Sequence, residues 1–131
     1  MIERIVPAGA PRPRGPYSPA VRAGDFIFVS GQGPVDPASD QMVTADIRTQ
    51  TRLVLENIRR ILATCGACPA DVVKCSVFLA DAADFAAMNE VYAEFFGEHK
   101  PARTTVEAKF VAPGMKIEID CVAYKPPAGA A

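Results

Sequence analysis

The stretch Pro101-Ala102-Arg103-Thr104-Thr105-Val106, with Ile117-Glu118-Ile119-Asp120 close behind it, decides how the chain is read. From Arg103 onward, Thr104, Val106, Ala108 and Phe110 alternate with Arg103, Thr105, Glu107 and Lys109, which is the period of a half-buried strand. Ile117, Ile119, Cys121 and Ala123 alternate in the same way with Lys116, Glu118, Asp120 and Tyr124. Joined through Ala112-Pro113-Gly114-Met115, the two runs are expected to form a hairpin in which Phe110 faces Ile117, Ala108 faces Ile119 and Val106 faces Cys121. In that register Lys109 lies opposite Glu118, and Arg103 is roughly 20 Å away at about 3.3 Å per residue. One chain would then not bring the Arg103 guanidinium and the Glu118 carboxylate to one ligand. A site that uses both is expected between subunits, with Arg103 from one and Glu118 from its neighbour. Taken singly, a strand arginine and a strand glutamate are also what a solvated face carries.

At 131 residues, 50% of them hydrophobic, the chain has the size of one domain with its own core, residues 1–131. The formal net charge is -1, and the basic residues are scattered except for the Arg12/Arg14 pair. Charge-driven capture of nucleic acid is therefore not expected. The opening Met1-Ile2-Glu3-Arg4-Ile5 has no long apolar run, so neither a secretory signal nor a membrane span is expected.

Cys65-Gly66-Ala67-Cys68 has C-x-x-C spacing, but a redox pair needs its first thiol at a helix start, and this one falls at a helix end. Zinc would need two further ligands from Cys75, Cys121 and His99, which include no second closely spaced pair. Cys75 and Cys121 fall at inward strand positions, where cysteine acts as a small apolar residue. No metal site is expected, and reduced thiols without an export signal point to the cytoplasm.

Residues 7–20 hold five prolines and two glycines, which forbid a helix; Tyr17 and Ser18 in the middle suggest a wall held in place. A hairpin of Ala20 to Arg22 and Phe26 to Ser30 about Ala23-Gly24-Asp25 follows, ending in Ser30-Gly31-Gln32-Gly33-Pro34, where glycine lets the backbone approach a ligand. Residues 44–65 read as a helix capped by Thr44, with Asp46 in its first turn, Ile47, Val54, Ile58, Ile61 and Cys65 on one face, and Gly66 as the stop. Val73, Cys75, Val77 and Leu79 mark a strand. Asp81 is expected to cap a second helix that buries Phe85, Met88, Tyr92 and Phe95 and ends at Gly97. A tail from Pro126 is expected to fray.

The order strand, hairpin, helix, strand, helix, hairpin describes an α+β domain, two helices on one face of a mostly antiparallel six-stranded sheet. Two helices cover one face only. The other, with Phe78, Val122 and Tyr124 among polar residues, is expected to meet another subunit.

Seven motifs stand in order along residues 15–124: Gly15-Pro16-Tyr17-Ser18, Val29-Ser30-Gly31-Gln32, Gln50-Thr51 with Asn57, Val73-Lys74 running into Val77-Phe78-Leu79, Met88-Asn89 with Tyr92, Pro101-Ala102-Arg103 and Ile117-Glu118-Ile119. Together they resemble the RidA (YjgF) family of enamine/imine deaminases. The resemblance implies a chorismate-mutase-like fold and a homotrimer with three clefts between subunits. It also implies hydrolysis of 2-aminoacrylate and related 2-imino acids to a 2-keto acid and ammonia. Arg103 matches the family's carboxylate-gripping arginine, a role for a two-pronged donor, and Glu118 matches the acid that positions and partly deprotonates water. By the same matching Tyr17 and Asn89 close the cleft, Ser30 and the Gly31 backbone line it, and Thr105 stands beside them where many relatives carry cysteine. No cofactor is implied, because an imine carbon is already electrophilic. Asp120 replaces the commoner second glutamate, and Pro113-Gly114 are adjacent where relatives usually have a residue between them, which bears on the edge of the cleft and on substrate choice.

Three other functions stand beside this one. The same fold and clefts could serve a specialised deaminase of an aminomuconate-type product, or a trimer that binds a small carboxylate without turning it over. RNA cleavage, a label relatives often carry, ranks last, because the chain has one histidine and no basic stripe interleaved with aromatics.

Overall fold

The helices rest on a sheet whose strands are β1 (Ile2–Ile5), β2 (Ala20–Ala23), β3 (Phe26–Gln32), β6 (Val72–Leu79), β7 (Ala102–Glu107) and β8 (Ile117–Tyr124), in the spatial order β1-β2-β3-β8-β6-β7. Two short strands, β4 (Val35–Asp36) and β5 (Gln41–Met42), pair beside it. The helices are α1 (Ile47–Thr64) and α2 (Phe85–Phe96). This is a computed structural model; it describes residues 1–129, and the last two residues of the expected frayed tail lie outside them. Every pairing in the larger sheet is antiparallel except β6 with β7. Among the described residues no helix is long and apolar enough to cross a membrane.

The expected hairpin of the two C-terminal runs does not form. β7 lies parallel to β6, with Cys75 beside Arg103 and Phe78 beside Val106, while β8 inserts between β3 and β6. The cause is the helix before β7: a chain that leaves β6, crosses through α2 and returns in the same direction is a βαβ unit, whose strands pair in parallel. β8, hydrogen-bonded on both edges, buries Ile117, Ile119, Cys121 and Ala123 as expected. β7 is an edge strand, and its polarity is the reverse of the expectation: Arg103 and Thr105 turn towards the helices, whereas Thr104 and Val106 are exposed. Residues 108–116, read as strand and turn, are a loop.

Local signals fare better. The β2–β3 turn falls on Gly24 and Asp25, with Gly24 at φ +61°. The cap of α1 is Asp46, whose carboxylate accepts from the Thr49 amide at 2.9 Å, and not Thr44. Gly66, at φ +75°, ends it. Asp81 caps a single 3₁₀ turn, Ala82–Asp84, from which α2 continues. A bulge in β6 turns Val73 outward and leaves Val72 in the core. Val54, Leu55, Ile58, Ile61 and Leu62 of α1 and Met88, Val91, Tyr92 and Phe96 of α2 pack on Ile27, Val29, Cys75, Val77, Leu79 and the inner face of β8. Phe85, expected in that core, is 45% exposed. The four cysteines are free, with Cys75 and Cys121 buried side by side.

Two buried amides of α1 tie loops to this core. Gln50 donates to the carbonyls of Val43, Ala45 and Gly114 and accepts from the Lys116 amide at 2.8 Å, tying the segment before α1 to the C-terminal end of the loop before β8. Asn57 donates to the Val35 carbonyl at 2.8 Å. A buried amide stabilises only when paired, so these residues fix loop positions. The sheet face away from the helices stays open and carries Phe26, Phe28, Val106 and Tyr124, each more than 40% exposed.

Candidate active site

The expected site residues separate into two groups on opposite faces of the sheet. Paired residues on neighbouring strands point the same way. Arg103 stands beside Cys75, which faces the helices, and Glu118 stands beside Phe78, which faces away. The two are three residues apart along the strands and two strands apart across them, roughly 14 Å between backbones at the usual spacings. The sheet itself lies between their side chains. The expectation that one chain cannot join them therefore holds, on a different geometry from the hairpin that motivated it.

Glu118 belongs to a cavity of about 580 Å³ that also brings in Tyr17 and Gly31. The proline-rich segment forms one wall and the loop from Lys109 to Met115 the other. The wall is held by its own contacts: Ser30 donates its hydroxyl to the Ser18 carbonyl at 2.6 Å, and the Tyr17 hydroxyl accepts from the Arg14 amide at 3.1 Å. Ser30 thus braces the wall and does not line the cavity. Gly31 is required by close approach, since a Cβ there would sit 2.7 Å from Glu118 Oε2 and 2.8 Å from its Cδ. Burial, and after it the nearby Asp120, push the Glu118 carboxyl above its ordinary value. Such a carboxylate is a better proton acceptor than a free one.

Arg103 and Thr105 lie on the helix-facing side of β7, where the Arg103 side chain reaches α2, the helix that carries Asn89. The Arg103 guanidinium lies 4.8 Å from the centre of the Tyr92 ring and 5.6 Å from that of Phe85. Phe85, Asn89 and Tyr92 fall at helical spacings of three and four, which puts them on one face of α2. Among the described residues Arg103 has no carboxylate partner, and the buried Asn89 Oδ1, Tyr92 Oη and Thr105 Oγ1 have no hydrogen-bond partner. An unpaired buried polar atom costs about 1–3 kcal/mol, so Asn89 Oδ1 and Thr105 Oγ1 mark positions that something else completes, whereas the Tyr92 hydroxyl has the Cys75 thiol beside it. Phe85 and Tyr92 read as ordinary core positions in the sequence, and only the parallel placement of β7 reveals them beneath the arginine.

The family model described as Endoribonuclease L-PSP matches residues 8–125. A RutC family protein of Pyrococcus horikoshii is 52% identical over 95% of this chain and 99% of its own. The 3-aminoacrylate deaminase RutC of Acinetobacter baylyi is 44% identical over 93% of this chain and 97% of its own. Among solved structures, TdcF of E. coli with bound serine superposes with a TM-score of 0.87 at 38% identity, covering 94% of this chain and 99% of the other. On the family match and these identities, the chain belongs to the RidA/YjgF/RutC family and has that family's chorismate-mutase-like fold.

Proposed function

We propose that the protein is a cytoplasmic hydrolase of reactive 2-imino and 2-enamino acids, working as a homotrimer in which each site takes Arg103 from one subunit and Glu118 from the next. The observation that carries this reading is the separation of the two residues to opposite faces of one sheet, each in a half-site that lacks a partner. The open apolar face offers the surface for assembly. A relative that deaminates 3-aminoacrylate and a structural neighbour that holds serine support a ligand on the scale of a small amino acid.

In the proposed site the arginine fork grips the carboxylate with two parallel hydrogen bonds, with its plane steadied on Tyr92 and Phe85. The Thr105 hydroxyl is available to donate to that carboxylate and Asn89 Oδ1 to accept from the substrate N–H, and Tyr17 closes the cleft from the facing subunit. Held in this way, the imine carbon lies within reach of a water at Glu118, and fixing that geometry removes much of the entropic barrier. Glu118 takes a proton from the water as its oxygen bonds to C2, and that proton passes to the imine nitrogen as the C=N π bond breaks, giving the carbinolamine. Glu118 then takes the carbinol O–H proton and returns it to the amine, so that C=O forms, the C2–N bond breaks and ammonia leaves with the keto acid. Neither metal nor organic cofactor is needed, because water is the nucleophile and the imine is the electrophile.

The test generates 2-aminoacrylate, 2-iminopropanoate and bulkier imino acids in situ with an amino-acid dehydratase or oxidase and follows keto-acid release. Acceleration is expected that Arg103→Ala abolishes and Glu118→Ala cuts sharply. Undiminished activity in Arg103→Ala overturns the site assignment, and no acceleration with any imine leaves a trimer that binds carboxylates without turning them over.

A further inference from the structure

We infer that the Glu118 cavity carries a second anion subsite, formed by Arg12 and Lys109, that selects imino acids with an additional acidic group at the far end of the side chain. The inference rests on the deaminase reading and goes beyond it to the substrate class. Three cationic side chains, Arg12, Arg14 and Lys109, line the cavity, against one carboxylate, Glu118. Arg14 is committed elsewhere: its guanidinium donates to the Asp40 carbonyl at 2.7 Å and lies 3.8 Å from the Asp40 carboxylate. Arg12 is anchored through its backbone, whose amide reaches the same carboxylate at 3.4 Å, so its position is set while its side chain stays unspent. Among the described residues neither the Arg12 guanidinium nor the Lys109 ammonium meets a carboxylate.

The two cations come from opposite walls, Arg12 from the proline-rich segment and Lys109 from the loop before β8, whose start is held by the Ala108 amide on the Leu79 carbonyl at 2.8 Å and whose end is held by Gln50. With the α-carboxylate on the neighbour's Arg103 and the imine carbon at Glu118, the two uncommitted cations line the same cavity and are available to the rest of the substrate.

The experiment compares an isosteric pair, the imines released from glutamate and from glutamine by amino-acid oxidases, which differ in the charge of the distal group alone. The ratio of kcat/KM, diacid over amide, is expected to exceed one by about fivefold per cation engaged, the upper end for a partly solvated ion pair, and to fall as salt is added. Arg12→Glu and Lys109→Glu should each lower that ratio, and together reverse it. A general loss of structure would lower both rates and leave the ratio in place, so a ratio unchanged in the double variant overturns the inference. Equal turnover of the two imines by the parent overturns it as well, while leaving the deaminase reading intact. Absence of turnover with either, and with the three-carbon imine, removes the reading beneath it.

Discussion

Subunit mixing tests the shared site by counting. If Arg103 and Glu118 act on one substrate from adjacent chains of a ring, a site is competent when one chain supplies the arginine and the next supplies the glutamate. Arg103→Ala subunits, inactive alone, and Glu118→Ala subunits, sharply impaired alone, are unfolded together at equal ratio and reassembled. Each neighbouring chain then carries the needed residue with probability one half, so about one quarter of the sites should be whole. Keto-acid release from in situ 2-aminoacrylate should recover to about 25% of the parent rate. A reciprocal mixture sharpens the count: the Arg103→Ala/Glu118→Ala double variant with parent subunits should give about one quarter of parent activity if the residues meet between chains, and about one half if they meet within one. Background activity in the first mixture together with half activity in the second would refute the argument from opposite sheet faces.

Three further outcomes follow from the site geometry. Gly31→Ala places a Cβ 2.7 Å from Glu118 Oε2, and moving that carboxylate by about 1 Å should cut kcat up to roughly a hundredfold while thermal unfolding shifts little; the loss should vanish in a Glu118→Ala background. Because the Glu118 carboxyl is raised above 4.5 by burial and Asp120, the acid limb of kcat/KM should lie above that value, and Glu118→Gln should remove it. The linkage has the matching sign: stability tied to the protonated carboxyl is fully present below its unfolded value and is lost as pH rises through the folded one. Glu118→Gln should therefore gain in melting temperature over the parent near neutral pH and lose that gain towards pH 4; a gain that grows on acidification would contradict the shift. Tyr92→Leu removes one of the rings beneath Arg103 and should raise KM about two- to fivefold with a smaller change in kcat, whereas Tyr92→Phe should keep KM near the parent value, as read by initial rates over substrate concentration.

What was legible in the sequence was what short-range physics determines. Periods of two and 3.6 located β2, β3, β6, β8 and both helices within a few residues, but not β1 or the short β4 and β5, and Gly24, Gly66 and Gly97 fell at turns or ends with positive φ. Pairing was less legible, because Val106 and Cys121 alternate equally well in a hairpin or on two strands separated by a third. The discriminating signal was present in strand, helix and strand from Val72 to Glu107, which favours a parallel return, and it outweighs an apparent match of two alternating runs. The same error inverted the faces of β7: Val106 and Thr104 look inward on hydropathy alone, yet an edge strand beside an open face sends them out and sends Arg103 in. The cap of α1 shows a milder form, since both Thr44 and Asp46 are good caps and the geometry of the Thr49 amide decides between them.

The two half-sites explain one another once the faces are known. Glu118, raised in its affinity for a proton, lines a cavity on the face away from the helices; Arg103 lies over aromatic rings on the helix side and has no carboxylate beside it. A carboxylate ligand alone would satisfy the second half and leave the first without a task. Water addition to a C=N bond is served by both, a fixed anion handle and a proton acceptor a few ångströms from it, and in the proposed trimer those requirements meet where the α2–β7 edge of one subunit faces the Glu118 cavity of another. The chemistry and the assembly are therefore one proposal, and a variant that prevents the proposed trimer without touching either residue should be as inactive as Arg103→Ala.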